Sequence, residues 1–165
     1  EVADYWASVV HINEWQTNRF FQNILNELFN TLAGKTITML GFAFKQNTGD
    51  TRDSPAIPLC ERLVGENAKV RIHDPKALEN ARIELKNLKG DLSFVEDVYE
   101  AADGAHALAL VTQWDEYLDL DYEKIHQAMA EPAFIFDGRN HLDHDKLYKI
   151  GFNVFPLGKS PLKHI

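Results

Sequence analysis

Only one cysteine, Cys60, stands among the 165 residues, so no internal disulfide framework is available and the chain suits a reducing compartment. Long apolar runs are also missing. None approaches the roughly 18 residues that a membrane span needs, so a cytoplasmic setting without a membrane is expected. Positive charge is scarce: 17 basic against 25 acidic residues leave a net charge of −8, which argues against non-specific nucleic-acid binding. The N-terminus, Glu-Val-Ala-Asp, shows no basic n-region and no secretory h-region, and its lack of Met suggests a piece of something longer. Neither a GxGxxG turn nor a Walker A loop occurs. No Ser/His/Asp arrangement and no thiol–base pair can be proposed. No catalytic residue is therefore expected within the chain.

What is there centres on Gly41 to Asp53, reading GFAFKQNTGDTRD. It follows the apolar run Thr36-Ile-Thr-Met-Leu40 and precedes a helix opening near Ser54-Pro55. A strand, a Gly-bearing polar loop and a helix N-terminus in succession are where an α/β domain holds an anion, because free backbone N–H groups point out of the sheet there. Lys45 and Arg52 add two cations. A solvated strand-to-helix connection would read the same way.

Ahead of this loop, residues 2–32 keep a helical apolar period without Pro or Gly, and Gly34 is placed as the stop. The apolar surface extends nearly all round, which fits either a core helix or one that spans two domains or pairs with a second subunit. Behind it the pattern alternates. Strands are expected at 36–40, 69–73, 92–95, 106–111, 133–136 and 153–155, with helices at 54–65, 77–88, 97–102, 121–130 and 143–150. Ser54 reads as an N-cap with Pro55 at N1, and Pro58 should cost a backbone hydrogen bond or shift the start. Residues 158–165 read as a loose tail. The expected fold is α/β: a Rossmann-like, doubly wound parallel sheet of about six strands (residues 34–165) preceded by one long helix (1–33).

Polar residues collect where strands end: at 41–53, at Thr112-Gln113-Trp114-Asp115, and at Asp137-Gly138-Arg139-Asn140. In a doubly wound sheet these ends share one edge, so Lys45, Arg52 and Arg139 can face one pyrophosphate or carboxylate. Asp137 is as well placed to brace the loop as to touch a ligand, and Trp114 reads as core. Asp74, after the second strand, occupies the place of a ribose-binding acid, but the glycine-rich turn that role goes with is absent. His141, Asp143, His144 and Asp145 resemble a metal cluster, yet a solvated helix start explains them better, and no metal is expected. Cys60 reads as an inert core thiol.

The segments GFAFKQNTGDTRD (41–53), IHDPK (72–76), VTQWDEY (111–117) and FIFDGRN (134–140), together with the opening VADYWASVVHINEWQTNRF, resemble the UDP-glucose/GDP-mannose dehydrogenase family over essentially the whole chain. The resemblance implies a dimerisation helix followed by a C-terminal, Rossmann-like UDP-sugar-binding domain, with UDP-glucose the favoured substrate. It also implies oxidation of the sugar C6 hydroxyl to a carboxylate in two NAD-dependent steps, on a catalytic cysteine and with NAD held mainly by an N-terminal domain. By the same resemblance Phe44 and Lys45 contact the UDP-sugar, Arg139 the nucleotide part of it, and Arg52 the NAD side of the cleft. The nucleophile motif and the first dinucleotide fold are missing here, so the chain alone is expected to be inactive. A related dehydrogenase of UDP-N-acetyl-sugars or GDP-mannose, or a standalone nucleotide-binding or dimerisation module, remains the alternative.

Overall fold

Six strands, β1 (Thr36–Leu40), β2 (Lys69–His73), β3 (Leu92–Phe94), β4 (Ala107–Leu110), β5 (Phe134–Asp137) and β6 (Asn153–Pro156), form one sheet in the computed structural model, which describes residues 1–165. All neighbours pair in parallel, in the order β3-β2-β1-β4-β5-β6. The order reverses between β1 and β4, which makes their carboxyl ends the topological switch point. Helices α1 (Val2–Glu27), α2 (Ala56–Gly65), α3 (Leu78–Glu84), α4 (Val98–Ala102), α5 (Tyr122–Ala128) and α6 (His144–Ile150) complete the expected α/β pattern. No helix is long and apolar enough to cross a membrane.

Alternation along the strands sorts the core into two layers. Ile37, Met39, Val70, Ile72, Phe134, Phe136 and Phe155 face one side, against Phe21 and Ile24 of α1, Leu28 just past its end, and Leu59, Cys60 and Leu63 of α2. Leu40, Leu108, Leu110, Ile135 and Val154 face the other, against Val98, Tyr122, Ile125 and Leu147 of α4, α5 and α6. The rings of Phe134, Phe136 and Phe155 stack on one another, with the closest pair of centroids 4.9 Å apart, and α1 lies over them. Phe29, just past the end of α1, sets its ring edge-on to Phe134 with centroids 6.3 Å apart.

The long helix stops at Glu27 rather than at residue 32. Phe29 and Asn30 adopt φ of 65° and 60°, left-handed values that end an α-helix, while Leu28 and Leu32 stay in the core. Lys35 donates to the carbonyls of Leu28 and Thr31, satisfying groups the helix end leaves open. Gly34 therefore does not terminate the helix; its amide bonds to Asn67 in the turn into β1. Residues 1–16 stand off the sheet, and Val2, Tyr5, Trp6, Val10, Ile12 and Trp15 are each more than half exposed.

Two further expectations change. Helix α2 begins one residue later than predicted, with Pro55 at the cap position, and Ser54 instead bridges: its hydroxyl donates to the Phe42 carbonyl at 2.7 Å and accepts from the Ala56 amide at 3.2 Å. The shift resolves Pro58, which falls in the first turn, where an N–H has no helical partner to lose. The tail is docked, not loose. Val154 and Leu162 exchange backbone hydrogen bonds of 2.8 and 2.9 Å, and His164 stacks on Tyr148 with centroids 4.1 Å apart. These contacts pair the outer edge of β6.

Candidate functional site

Strands β1, β4 and β5 are neighbours, so the loops at residues 41–53, 111–115 and 138–143 leave the sheet side by side. They are tied to one another. Thr112 Oγ1 donates to the Ala43 carbonyl at 2.7 Å, and the Asp115 amide donates to Gln46 Oε1 at 3.3 Å. Arg139 Nε donates to the Val111 carbonyl at 2.8 Å. Gly41 makes the first of these contacts possible: with φ of 92°, a Cβ there would lie 2.4 Å from the Cβ of Thr112. Any side chain would wedge the β1 and β4 loops apart.

On this base stand the cations. Lys45 and Arg139 are exposed and neither enters an ion pair. Because its Nε is held by Val111, Arg139 has a fixed orientation and its terminal amines remain for a ligand. Phe44, immediately before Lys45, is 47% exposed, so its ring is open to a ligand. Arg52 differs. Its guanidinium grips Asp50 of its own loop through Nε to Oδ1 (3.0 Å) and Nη2 to Oδ2 (2.8 Å). The hydrogen bonds from Arg52 hold the Asp50 carboxyl down to about 2, and the same contact raises Arg52 above its ordinary value.

Asp137 braces its loop, the role its position allowed. Its Oδ1 accepts from the Arg139 amide at 3.0 Å, and its Oδ2 from the His141 and Leu142 amides, both at 2.9 Å, and from His144 Nε2 at 2.8 Å. His144 is thus part of that brace and not a solvated helix start, while Asp143 caps α6 by accepting from the Lys146 amide. No group of three His, Cys, Asp or Glu residues is arranged to hold a metal. Trp114 is core, 5% exposed. Asp74 is buried, with both oxygens occupied by protein N–H groups, so a ribose hydroxyl would have to displace one of them. Burial pushes the Cys60 thiol up to about 12, which leaves it unreactive.

The sequence marked Thr112 and Gln46 as polar residues of their loops but not as the ties between them, and it gave no sign of the pair His73–Tyr117. The hydroxyl of Tyr117 lies 2.9 Å from His73 Nδ1 beneath the switch point. Burial pushes the pKa of His73 below its ordinary value and that of Tyr117 well above its own. Both are neutral near pH 7, and the phenol donates to the His73 carbonyl at 3.3 Å. They lie in two separate segments, IHDPK and VTQWDEY, and with 44 residues between them neither segment marks the pairing.

Comparison with known proteins follows this geometry. Residues 38–144, which carry all three loops, match the UDP-binding domain of the UDP-glucose/GDP-mannose dehydrogenase family. The chain is 46% identical over 182 aligned positions to UDP-glucose 6-dehydrogenase 2 of Oryza sativa subsp. japonica, covering 99% of this chain and 38% of that enzyme. Against UDP-glucose 6-dehydrogenase 1 of Arabidopsis thaliana the identity is 43% over 178 positions, covering 96% and 37%. The chain thus spans well under half the length of these relatives. Among solved structures, a UDP-glucose dehydrogenase from the archaeon Pyrobaculum islandicum superposes with a TM-score of 0.69 at 28% identity, over 88% of this chain and 32% of that one. An NDP-N-acetyl-D-galactosaminuronic acid dehydrogenase from Methanosarcina mazei shares the fold, with a TM-score of 0.71 at 22% identity over 87% and 29%. With the switch-point loops inside the matched span, the chain belongs to the UDP-glucose/GDP-mannose dehydrogenase family and carries its UDP-binding domain.

Proposed function

We propose that this chain is the C-terminal, UDP-binding and dimerisation part of an NAD-dependent UDP-glucose 6-dehydrogenase, which converts UDP-glucose to UDP-glucuronate in two oxidations. The observation that carries the reading is the pair Lys45 and Arg139, two exposed cations outside any ion pair, at the ends of β1 and β5 on either side of β4 in an acidic chain. In this reading they bind the diphosphate, Lys45 as a point charge and Arg139 through its terminal amines. Phe44 lays its ring against the nucleotide sugar, and the loop shields it from water.

NAD, when bound, accepts the hydride in each oxidation. The turn after β1 does not suit it as a dinucleotide seat, because it lacks the glycine-rich fingerprint and Asp74 is fully engaged. NAD is therefore assigned mainly to another domain, with Arg52 reaching its side of the cleft after exchanging Asp50 for a phosphate. By the same reasoning the chain alone does not turn over.

Titration of the chain with UDP, followed by amide chemical shifts, tests the reading. Shifts should concentrate at Phe44, Lys45 and Arg139, while cytidine alone should produce none. UDP shifts that scatter over the surface, or that centre on α5 and α6, would overturn it.

The exposed aromatic stretch of α1 supports self-association about a two-fold axis. Light scattering at high micromolar concentration should report a dimer of the 18.8 kDa chain. Trp6→Asp with Val10→Asp should return it to monomer, since a buried charge without a partner is costly. A wild-type chain that scatters only as a monomer would remove dimerisation from the proposal.

A further inference from the structure

The carboxylate of Asp74 collects five N–H donors from three separate segments. Its Oδ2 accepts from the Phe42 amide at 2.7 Å, the Ala43 amide at 2.9 Å and the Trp114 indole Nε1 at 3.2 Å. Its Oδ1 accepts from the amides of Lys76 and Ala77, both at 2.8 Å. The residue is 3% exposed, so water does not supply these bonds. A carboxylate offers about four lone-pair directions, and here every one is used by protein.

The arrangement does more than fill a space. Phe42 and Ala43 are the two residues immediately before Phe44 and Lys45, and the bonds from both of their amides to one oxygen of Asp74 restrain the turn at this point. Trp114 brings the loop after β4 to the same oxygen, and that loop passes Val111, whose carbonyl orients Arg139. One anion at the end of β2 thus fixes the direction in which Lys45 leaves the sheet and couples it to the strand that seats Arg139. We infer that Asp74 is a positioning residue for nucleotide-diphosphate binding: it holds the 42–45 turn and the loop after β4 in the conformation that presents Lys45 and Arg139 together. The inference rests on the reading of those cations as the diphosphate site.

Asparagine cannot take over this role by flipping. Each oxygen of Asp74 accepts at least two N–H groups, so the amide nitrogen of Asn would meet donors in either orientation. Losing the anion also leaves buried amides unpaired. A purely structural role would lower stability in the same way, and the test must separate the two.

Three variants of the chain do so, each measured for UDP affinity and for amide hydrogen exchange at Phe42 and Ala43. Asp74→Asn should weaken UDP binding about tenfold or more and speed exchange at both amides. Trp114→Phe removes one donor and keeps most of the packing, and it should weaken binding about threefold with little loss of melting temperature. Ile125→Ala opens a cavity under α5, which makes no hydrogen bond to Asp74; it should lower stability comparably while leaving UDP affinity and both exchange rates unchanged. If Asp74→Asn folds and behaves as Ile125→Ala does, the positioning role is wrong. If Asp74→Asn does not fold, Trp114→Phe decides, and unchanged affinity and exchange in that variant overturn the inference. A wild-type chain with no UDP-dependent shifts would instead overturn the diphosphate site, while the exchange rates still report whether Asp74 holds the turn.

Discussion

A chain beginning at Lys35 is expected to lose cooperative folding, whereas one beginning at Thr17 should unfold much as the whole chain does. Phe21, Ile24, Leu28 and Leu32 are 5%, 0%, 1% and 1% exposed, and they share one core with the stacked rings of Phe134, Phe136 and Phe155. Burying one large apolar side chain contributes about 1.5–3 kcal/mol, so the four contribute about 6–12 kcal/mol. A whole domain of this size is stable by only about 5–15 kcal/mol. Deleting them also exposes the aromatic face beneath, an aggregation hazard. Residues 1–16, by contrast, touch little of the sheet. Thermal unfolding by circular dichroism distinguishes the cases. A sharp transition in residues 35–165, within about 5 °C of the full chain, or about 1 kcal/mol for a domain of this length, would show that α1 is dispensable to the sheet.

The second large effect is expected at the cations. In the full-length dehydrogenase, Lys45→Ala and Arg139→Ala should each raise the UDP-glucose KM about 10- to 150-fold and leave the KM for NAD nearly unchanged. On the proposed site each variant loses a charge-assisted hydrogen bond to the diphosphate, worth about 1.5–3 kcal/mol. The remaining surface is acidic, so losing either cation also turns the local field against a dianion. Arg139→Lys should fall near the alanine variant: an ammonium cannot donate to Val111 and to a phosphate with the geometry of the fork. Arg52→Ala should do the reverse, raising the KM for NAD with UDP-glucose little affected. Raising salt should weaken wild-type binding of UDP-glucose more than that of either cation variant. Lys45→Ala and Arg139→Ala proteins that fold and keep UDP-glucose binding within about twofold, under about 0.5 kcal/mol, would place the diphosphate elsewhere.

The sheet was legible because parallel strands covered on both faces read as apolar runs, and β1, β4, β5 and β6 are buried at every position. Strand order then gathered Lys45 and Arg139 before any side-chain geometry was known. Other features resisted for identifiable reasons. The end of α1 was misplaced because Leu28 and Leu32 continue the apolar period after the helix has stopped; burial does not report which backbone conformation delivers it. The docking of the tail rests on backbone hydrogen bonds between Val154 and Leu162, which any side chains could make. The ring of donors around Asp74 joins residues 32 and 40 positions away, and no local pattern encodes it. Ser54 was recognised as a helix-start residue, but its bond to Phe42 depends on where the preceding loop folds.

The 26-residue helix α1 contains neither proline nor glycine, and one end of it is cemented under the sheet. A helix of that length, about 39 Å, bends little without such a residue. It therefore acts as a lever with no joint along its shaft. Whatever seats on Tyr5, Trp6 and Trp15 must turn with the strands that carry Lys45 and Arg139, as one rigid body. If the diphosphate cleft opens and shuts, the angle change has to be absorbed outside α1. Two copies joined through their shafts would then report each other's rotation, so that closing one cleft shifts the orientation offered to the other.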